Sequence, residues 1–249
     1  MDLDPALAAL RPLGGFFVLR TVVDQERPPG PALPTLAQAY EEPTSDVYPF
    51  SLTFRVRKVE RALKAPEPRI AASVAQLGLA ARLWSVALGC AALYDRVPDL
   101  DPRLLRWDAD ASAPDDLWLT EVRPLPAEQG RIADTVLVGH LAPLAAALRT
   151  RVRLADGLLW GNAASALVGA GRELGRQCRA QGRTEAASRA AELTRALLAH
   201  PLLAGTGTLT GTGFRRRSCC LYYRVPGGGV CGDCCFPRPP RSSARGASG

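Results

Sequence analysis

Five of the chain's seven cysteines fall in the stretch CCLYYRVPGGGVCGDCC, residues 219–235, while Cys90 and Cys178 stand alone upstream. A thiolate is a soft donor for zinc or for iron–sulfur clusters, and a nucleophile in disulfide exchange. Cys219 and Cys220 are adjacent, a ten-residue spacer follows, and Cys231-x-x-Cys234 runs straight into Cys235. Within the spacer, LYYRV at 221–225 reads as a short strand and PGGG at 226–229 as a turn. The chain is therefore expected to double back and bring the two cysteine groups together.

A zinc site with four cysteines usually draws on two C-x-x-C-like knuckles. Only one side has that spacing here, and adjacent cysteines, with Cα atoms about 3.8 Å apart, make a poor knuckle. A two-iron cluster relaxes the constraint by spreading its thiolates over two metals. Spacing alone gives iron–sulfur a modest preference and leaves a structural zinc site open.

The rest of the chain must position these thiols. At 249 residues it can bury a core without disulfide staples. The start, MDLDPALAALRPLGGFFVLR, carries acids where a secretory signal would be basic, so a cytoplasmic location is expected. In a reducing compartment clustered cysteines are more often metal ligands or redox groups than bridges. The net charge is +7, and from Phe214 onward seven arginines face a single acid, Asp233, which concentrates +6 around the cysteines. Positive charge there suits an anionic thiolate centre better than nucleic acid, for which no binding module accompanies it.

GFFVLRTVV at 15–23 reads as a strand, and 36–66 as helical after a proline-rich loop at 28–35. Residues 70–94 are long and apolar enough to span a membrane, but Arg82 at the centre favours a buried helix, with peripheral membrane contact as the remaining alternative. RLLRWD and DLWLTEVRPL read as two strands joined by an acidic turn, in which Asp108, Asp110, Asp115 and Asp116 are expected to be solvated. From 130 to about 203 the pattern is helical, with Thr184 placed to cap one helix. The glycines at 169, 171 and 175 and at 205, 207 and 211 miss the dinucleotide-binding spacing by one residue. They are read as close helix packing and as a flexible connector respectively. His140 and His200 are read as structural, Cys90 and Cys178 as buried small residues.

Ser218-Cys219-Cys220-Leu221-Tyr222-Tyr223-Arg224, followed by Cys231-Gly232-Asp233-Cys234, resembles the C-terminal signature of the FhuF-type ferric-siderophore reductases, whose C-C-x10-C-x-x-C arrangement binds a [2Fe-2S] cluster. LLWGNAASALVGA at 158–170 is similar to the helix preceding that signature in actinobacterial relatives. The resemblance implies Cys219, Cys220, Cys231 and Cys234 as ligands and leaves Cys235 outside the pattern. It further implies a predominantly helical α+β fold with a small strand component. The expected organisation is a reductase-like body at 1–205, a cluster-binding segment at 206–238 and a disordered basic tail at 239–249. The implied function is one-electron reduction of cytoplasmic ferric siderophores, with an external donor such as a ferredoxin or flavin reductase, because no nicotinamide or flavin site is visible in the chain. An electron-transfer or sensor module without siderophore turnover and a structural zinc protein are the rival readings.

Overall fold

The computed structural model describes residues 7–21, 33–41 and 52–240. Its helices are α1 (Leu36–Glu41), α2 (Leu52–Leu63), α3 (Pro68–Tyr94), α4 (Gln129–Arg151), α5 (Asp156–Ala180) and α6 (Thr184–Leu198). The strands are β1 (Arg20–Thr21), β2 (Arg96–Pro98), β3 (Leu105–Trp107), β4 (Leu117–Leu119), β5 (Pro124–Pro126), β6 (Gly207–Thr210) and β7 (Gly213–Arg216). β4 pairs parallel to β1 and antiparallel to β3, while β2 with β5 and β6 with β7 form antiparallel pairs. The fold is α+β and predominantly helical.

α3 is the axis of the core. Pro68 opens it where a missing N–H costs nothing, and Asp95 ends it in the left-handed conformation, φ 53°, with its N–H donating to the Ala91 carbonyl. Trp84, Leu83, Leu88 and Cys90 on it are fully buried, so the helix is apolar on every side because it has neighbours on every side. α2, α5 and α6 pack against it. Both α3 and α4 are long and apolar enough to cross a membrane, and 72% of the apolar window of α3 is buried inside the protein.

Arg82, 1% exposed, is held within this core. Its Nε donates to Asp116 Oδ1 at 2.9 Å and its Nη1 to the carbonyls of Gly15 (3.1 Å) and Phe16 (2.6 Å). Asp116 is thus buried and ion-paired, where the sequence reading has a solvated aspartate. The same two carbonyls belong to a turn, so the expected strand at 15–23 shrinks to Arg20–Thr21 within the described residues. Residues 28–32 of the proline-rich loop and 42–51 of the helical span 36–66 lie outside the described residues, as does most of the basic tail. Thr184 begins α6 without capping it: the N-cap is Arg183, and no side chain bonds the first turn. The Gly205–Gly211 stretch, expected to be a connector, contributes β6 to the β6–β7 hairpin. Gly171 packs as expected, since a Cβ there would stand 2.1 Å from Thr194 Oγ1 of the neighbouring helix.

His140 is fully buried on α4. A carbonyl only accepts, so Nε2 donates to the Leu100 oxygen at 2.5 Å and Nδ1 accepts from the Tyr40 hydroxyl at 2.9 Å. Burial pushes the ring down to about 4, against about 6.5 in the unfolded chain. Between those values the unfolded chain binds a proton that the folded one refuses. The contribution is therefore complete above pH 6.5 and is lost as pH falls toward 4, by up to about 3 kcal/mol. Urea unfolding at pH 7 and pH 5 is expected to show most of this loss in the parent chain and little of it in a His140→Gln variant; parallel pH profiles would contradict the assignment.

Candidate metal centre

The cysteine segment docks on a polar seam between the two longest helices. Asn162 Nδ2 on α5 donates to the carbonyl and hydroxyl oxygens of Ser73 on α3, each at 3.0 Å. Ser73 Oγ in turn donates to the Cys220 carbonyl at 2.9 Å. One turn along α3, Gln76 Nε2 donates to the Leu159 carbonyl of α5 at 3.2 Å. Asn162 Oδ1 accepts a short hydrogen bond from Arg216 Nη1. Ser165, one turn beyond Asn162, donates to Asp233 Oδ2 at 2.5 Å, and the Asp233 carbonyl accepts from the Arg216 N–H at 3.0 Å. Ser73, Asn162 and Ser165 thereby hold the C-terminal segment, and Gln76 ties the two helices to each other.

Two glycines permit the close fit. A Cβ on Gly161 would fall 2.3 Å from Ser218 Oγ, which donates to the Gly157 carbonyl at 2.5 Å and sets the chain just before Cys219. A Cβ on Gly228 would fall 2.6 Å from the Tyr222 carbonyl at the reversal. The chain does double back over Pro226–Gly229, with Gly227 at φ 72°. The preceding LYYRV is a one-turn 3₁₀ helix over Tyr222–Arg224 and not a strand, entered through Leu221 at φ 70°. An ion pair from Arg224 to Glu67 ties this turn to the start of α3, and Tyr223 packs edge-on against Phe236.

The reversal brings Cys220 and Cys231 together. Cys220 and Cys231 sulfurs are 3.6 Å apart, close to the roughly 3.8 Å separation of two thiolates bound to one tetrahedral metal at about 2.3 Å. Cys235 is within hydrogen-bonding reach of both Cys219 and Cys234. Among the described residues no three potential ligands converge on a single ion, and the close sulfur contact across the reversal is that of Cys220 with Cys231. Backbone N–H groups already point at sulfur, from Leu221 to Cys219 at 3.2 Å and from Phe236 to Cys234 at 3.4 Å.

Charge is arranged to suit thiolates. Cys220 is lowered to about 6 by the hydrogen bond from Cys231, with help from the Tyr222 N–H and the Arg216 charge, so within this pair Cys220 is the thiolate. Burial raises Cys219 to about 11 and pushes Cys235 upward. Metal binding would take all the ligand protons. Arg216 is 4% exposed, and its Nε is buried with no partner among the described residues. A buried guanidinium with an N–H to spare beside sulfur fits an anionic iron–sulfur centre.

Of the four expected ligands the structure brings Cys220 and Cys231 into contact, and Cys219 and Cys234 lie in the same loop, each within reach of Cys235. Cys90 and Cys178 are buried in the helices, as expected. Sequence reading missed the Ser73, Gln76, Asn162 and Ser165 seam. Its signal was present as two polar pairs, each spaced three residues apart, in otherwise apolar helices.

Fold and site together define a helical protein carrying a thiolate metal centre on its two longest helices. Residues 216–236 match the FhuF 2Fe-2S C-terminal domain. Residues 77–218, more than half of the chain, match the family described as ferric iron reductase FhuF-like transporter. The chain belongs to that family, and its cofactor is a [2Fe-2S] cluster. No curated protein matches the chain.

Proposed function

We propose that the chain reduces ferric siderophores to release Fe(II) in the cytoplasm. On this reading Cys219, Cys220, Cys231 and Cys234 hold the cluster, and an external ferredoxin or flavin reductase supplies electrons. The observation that carries the reading is the contact of Cys220 with Cys231, within the matched 2Fe-2S segment and beside buried Arg216. When bound, a [2Fe-2S] centre supplies one electron at a time.

The chain's own residues provide burial, access and attraction. Cys220 and Arg216 are buried, whereas Cys219, Cys231 and Cys234 are half-exposed, so one edge of the site is open to a bulky chelate. Arg215, Arg217, Arg224 and Arg238 are exposed around it and draw in anionic chelates or an acidic redox partner. Tyr222 and Val230 add exposed apolar surface at the same edge.

The test is to reduce the protein anaerobically and mix it with a ferric hydroxamate chelate and a ferrous trap. About one Fe(II) per chain is expected from the one-electron capacity of the centre, at a rate that falls as salt is raised. Protein that stays reduced in the presence of the chelate would overturn the siderophore reading and leave an electron-transfer module.

Cys235 is expected to be dispensable. In Cys235→Ser the visible spectrum and iron content stay near those of the parent, because Cys234 keeps its N–H···S bond from Phe236. Loss of most of the iron would show instead that Cys235 is a ligand.

A further inference from the structure

A second built site lies beside α3, away from the cysteines. A cavity of about 340 Å³ opens between α2 and α3, lined also by Phe16, Trp107 and the acidic turn. Leu52, Val59, Val74 and Ala75 give it apolar walls, and a Cβ on Gly78, another lining residue, would meet nothing within 4 Å. Its volume is at the small end of the range for ligand pockets.

The polar groups of this cavity are unbalanced in one direction. Two guanidiniums, Arg55 and Arg82, line it against one carboxylate, Asp116. Asp116 Oδ1 is taken by Arg82 Nε at 2.9 Å, and Arg55 Nη2 stands 4.0 Å from Oδ2, beyond hydrogen-bond distance. Arg82 Nη2 and Trp107 Nε1 are buried and have no partner among the described residues. Asp108 and Asp110 are the other carboxylates whose charges act on Arg55; Asp108 Oδ1 is occupied by the N–H groups of Asp110 and Ala111, and Arg55 Nη1 itself donates to the Ala111 carbonyl at 2.8 Å. Asp110 is paired with Lys58, and Asp115 with Arg20. What remains at the cavity is a surplus of donors and one positive charge among its lining residues. Arg55 is the guanidinium of the two with accessible surface, and its charge at an apolar wall attracts an anion.

We infer that this cavity binds a small monocarboxylate with an apolar body. The carboxylate accepts from the Arg55 guanidinium, whose side chain is 17% exposed, and the body fills the space over Gly78. The inference does not depend on the siderophore reading, because none of these residues belongs to the cysteine segment.

Isothermal titration of the full chain tests it with benzoate, hexanoate, benzyl alcohol and acetate as probes. At least one of benzoate and hexanoate is expected to bind with a Kd of about 1 mM or tighter, and the stronger of the two identifies an aromatic or an acyl body. Benzyl alcohol lacks the charge and acetate lacks the body, so each should bind at least about tenfold more weakly. Gly78→Leu, which favours the helix and fills the space, should abolish binding, and Arg55→Met should weaken it about tenfold. No heat from either benzoate or hexanoate up to about 10 mM, equal binding of benzyl alcohol, or full binding by Gly78→Leu would each overturn the assignment. The cluster absorption serves as the folding control in every variant.

Discussion

Replacing Cys231 with serine is expected to strip the protein of its cluster. Cys231 sits 3.6 Å from Cys220 across the reversal, and serine puts a harder oxygen donor where a thiolate is needed. Iron and acid-labile sulfide per chain should fall at least about tenfold, and the visible bands should vanish. The helical core should survive, because Cys231 is half-exposed and belongs to the loop. Far-ultraviolet circular dichroism close to that of the parent separates cluster loss from unfolding. Cys178→Ala, which removes a buried thiol on α5, is the matched control and should keep its iron. An unchanged visible spectrum in Cys231→Ser would remove this residue from the ligand set.

Arg216→Gln is expected to lower the midpoint potential by about 100 mV. Reduction adds a negative charge to the centre, and a nearby cation favours the reduced form. Arg216 is buried and its charge acts on both Cys220 and Cys231. At an effective dielectric of about 20, a charge roughly 6–8 Å away contributes about 2–3 kcal/mol, and about 1.4 kcal/mol corresponds to 59 mV for one electron. Glutamine keeps an amide for Asn162 while removing the charge. Arg215 is exposed, so the same change there is screened by water and salt and should move the potential far less. A redox titration followed by EPR measures both variants. Equal shifts at the two positions would show that Arg216 acts only through net charge.

The cysteine cluster was legible because its expected ligands are close in sequence: one loop carries them all, and the proline and glycines at 226–229 announce its reversal. The burial of α3 was legible from Arg82, a charge costly to leave in hydrocarbon, although its partner was not. Asp116 lies thirty-four positions away and looks like its solvated neighbours until β3 and β4 carry it inward. The seam escaped for the same reason, since Ser73, Asn162 and Arg216 meet only when α3, α5 and β7 are packed together. Glycine-rich composition hid the β6–β7 hairpin, in which Leu209 and Phe214 form a cross-strand pair. LYYRV has the aromatic and β-branched content of a strand, yet the tight path from Cys220 through Leu221 in a left-handed conformation turns it into a single helical turn.

Metal and sulfide analysis of anaerobically purified protein, with EPR spectra before and after dithionite, tests the central claim most directly. The account predicts two irons and two sulfides per chain, and an EPR signal that appears on reduction, as a one-electron [2Fe-2S] centre requires. One zinc per chain, no sulfide and no signal on reduction would contradict it and return the cysteines to a structural role.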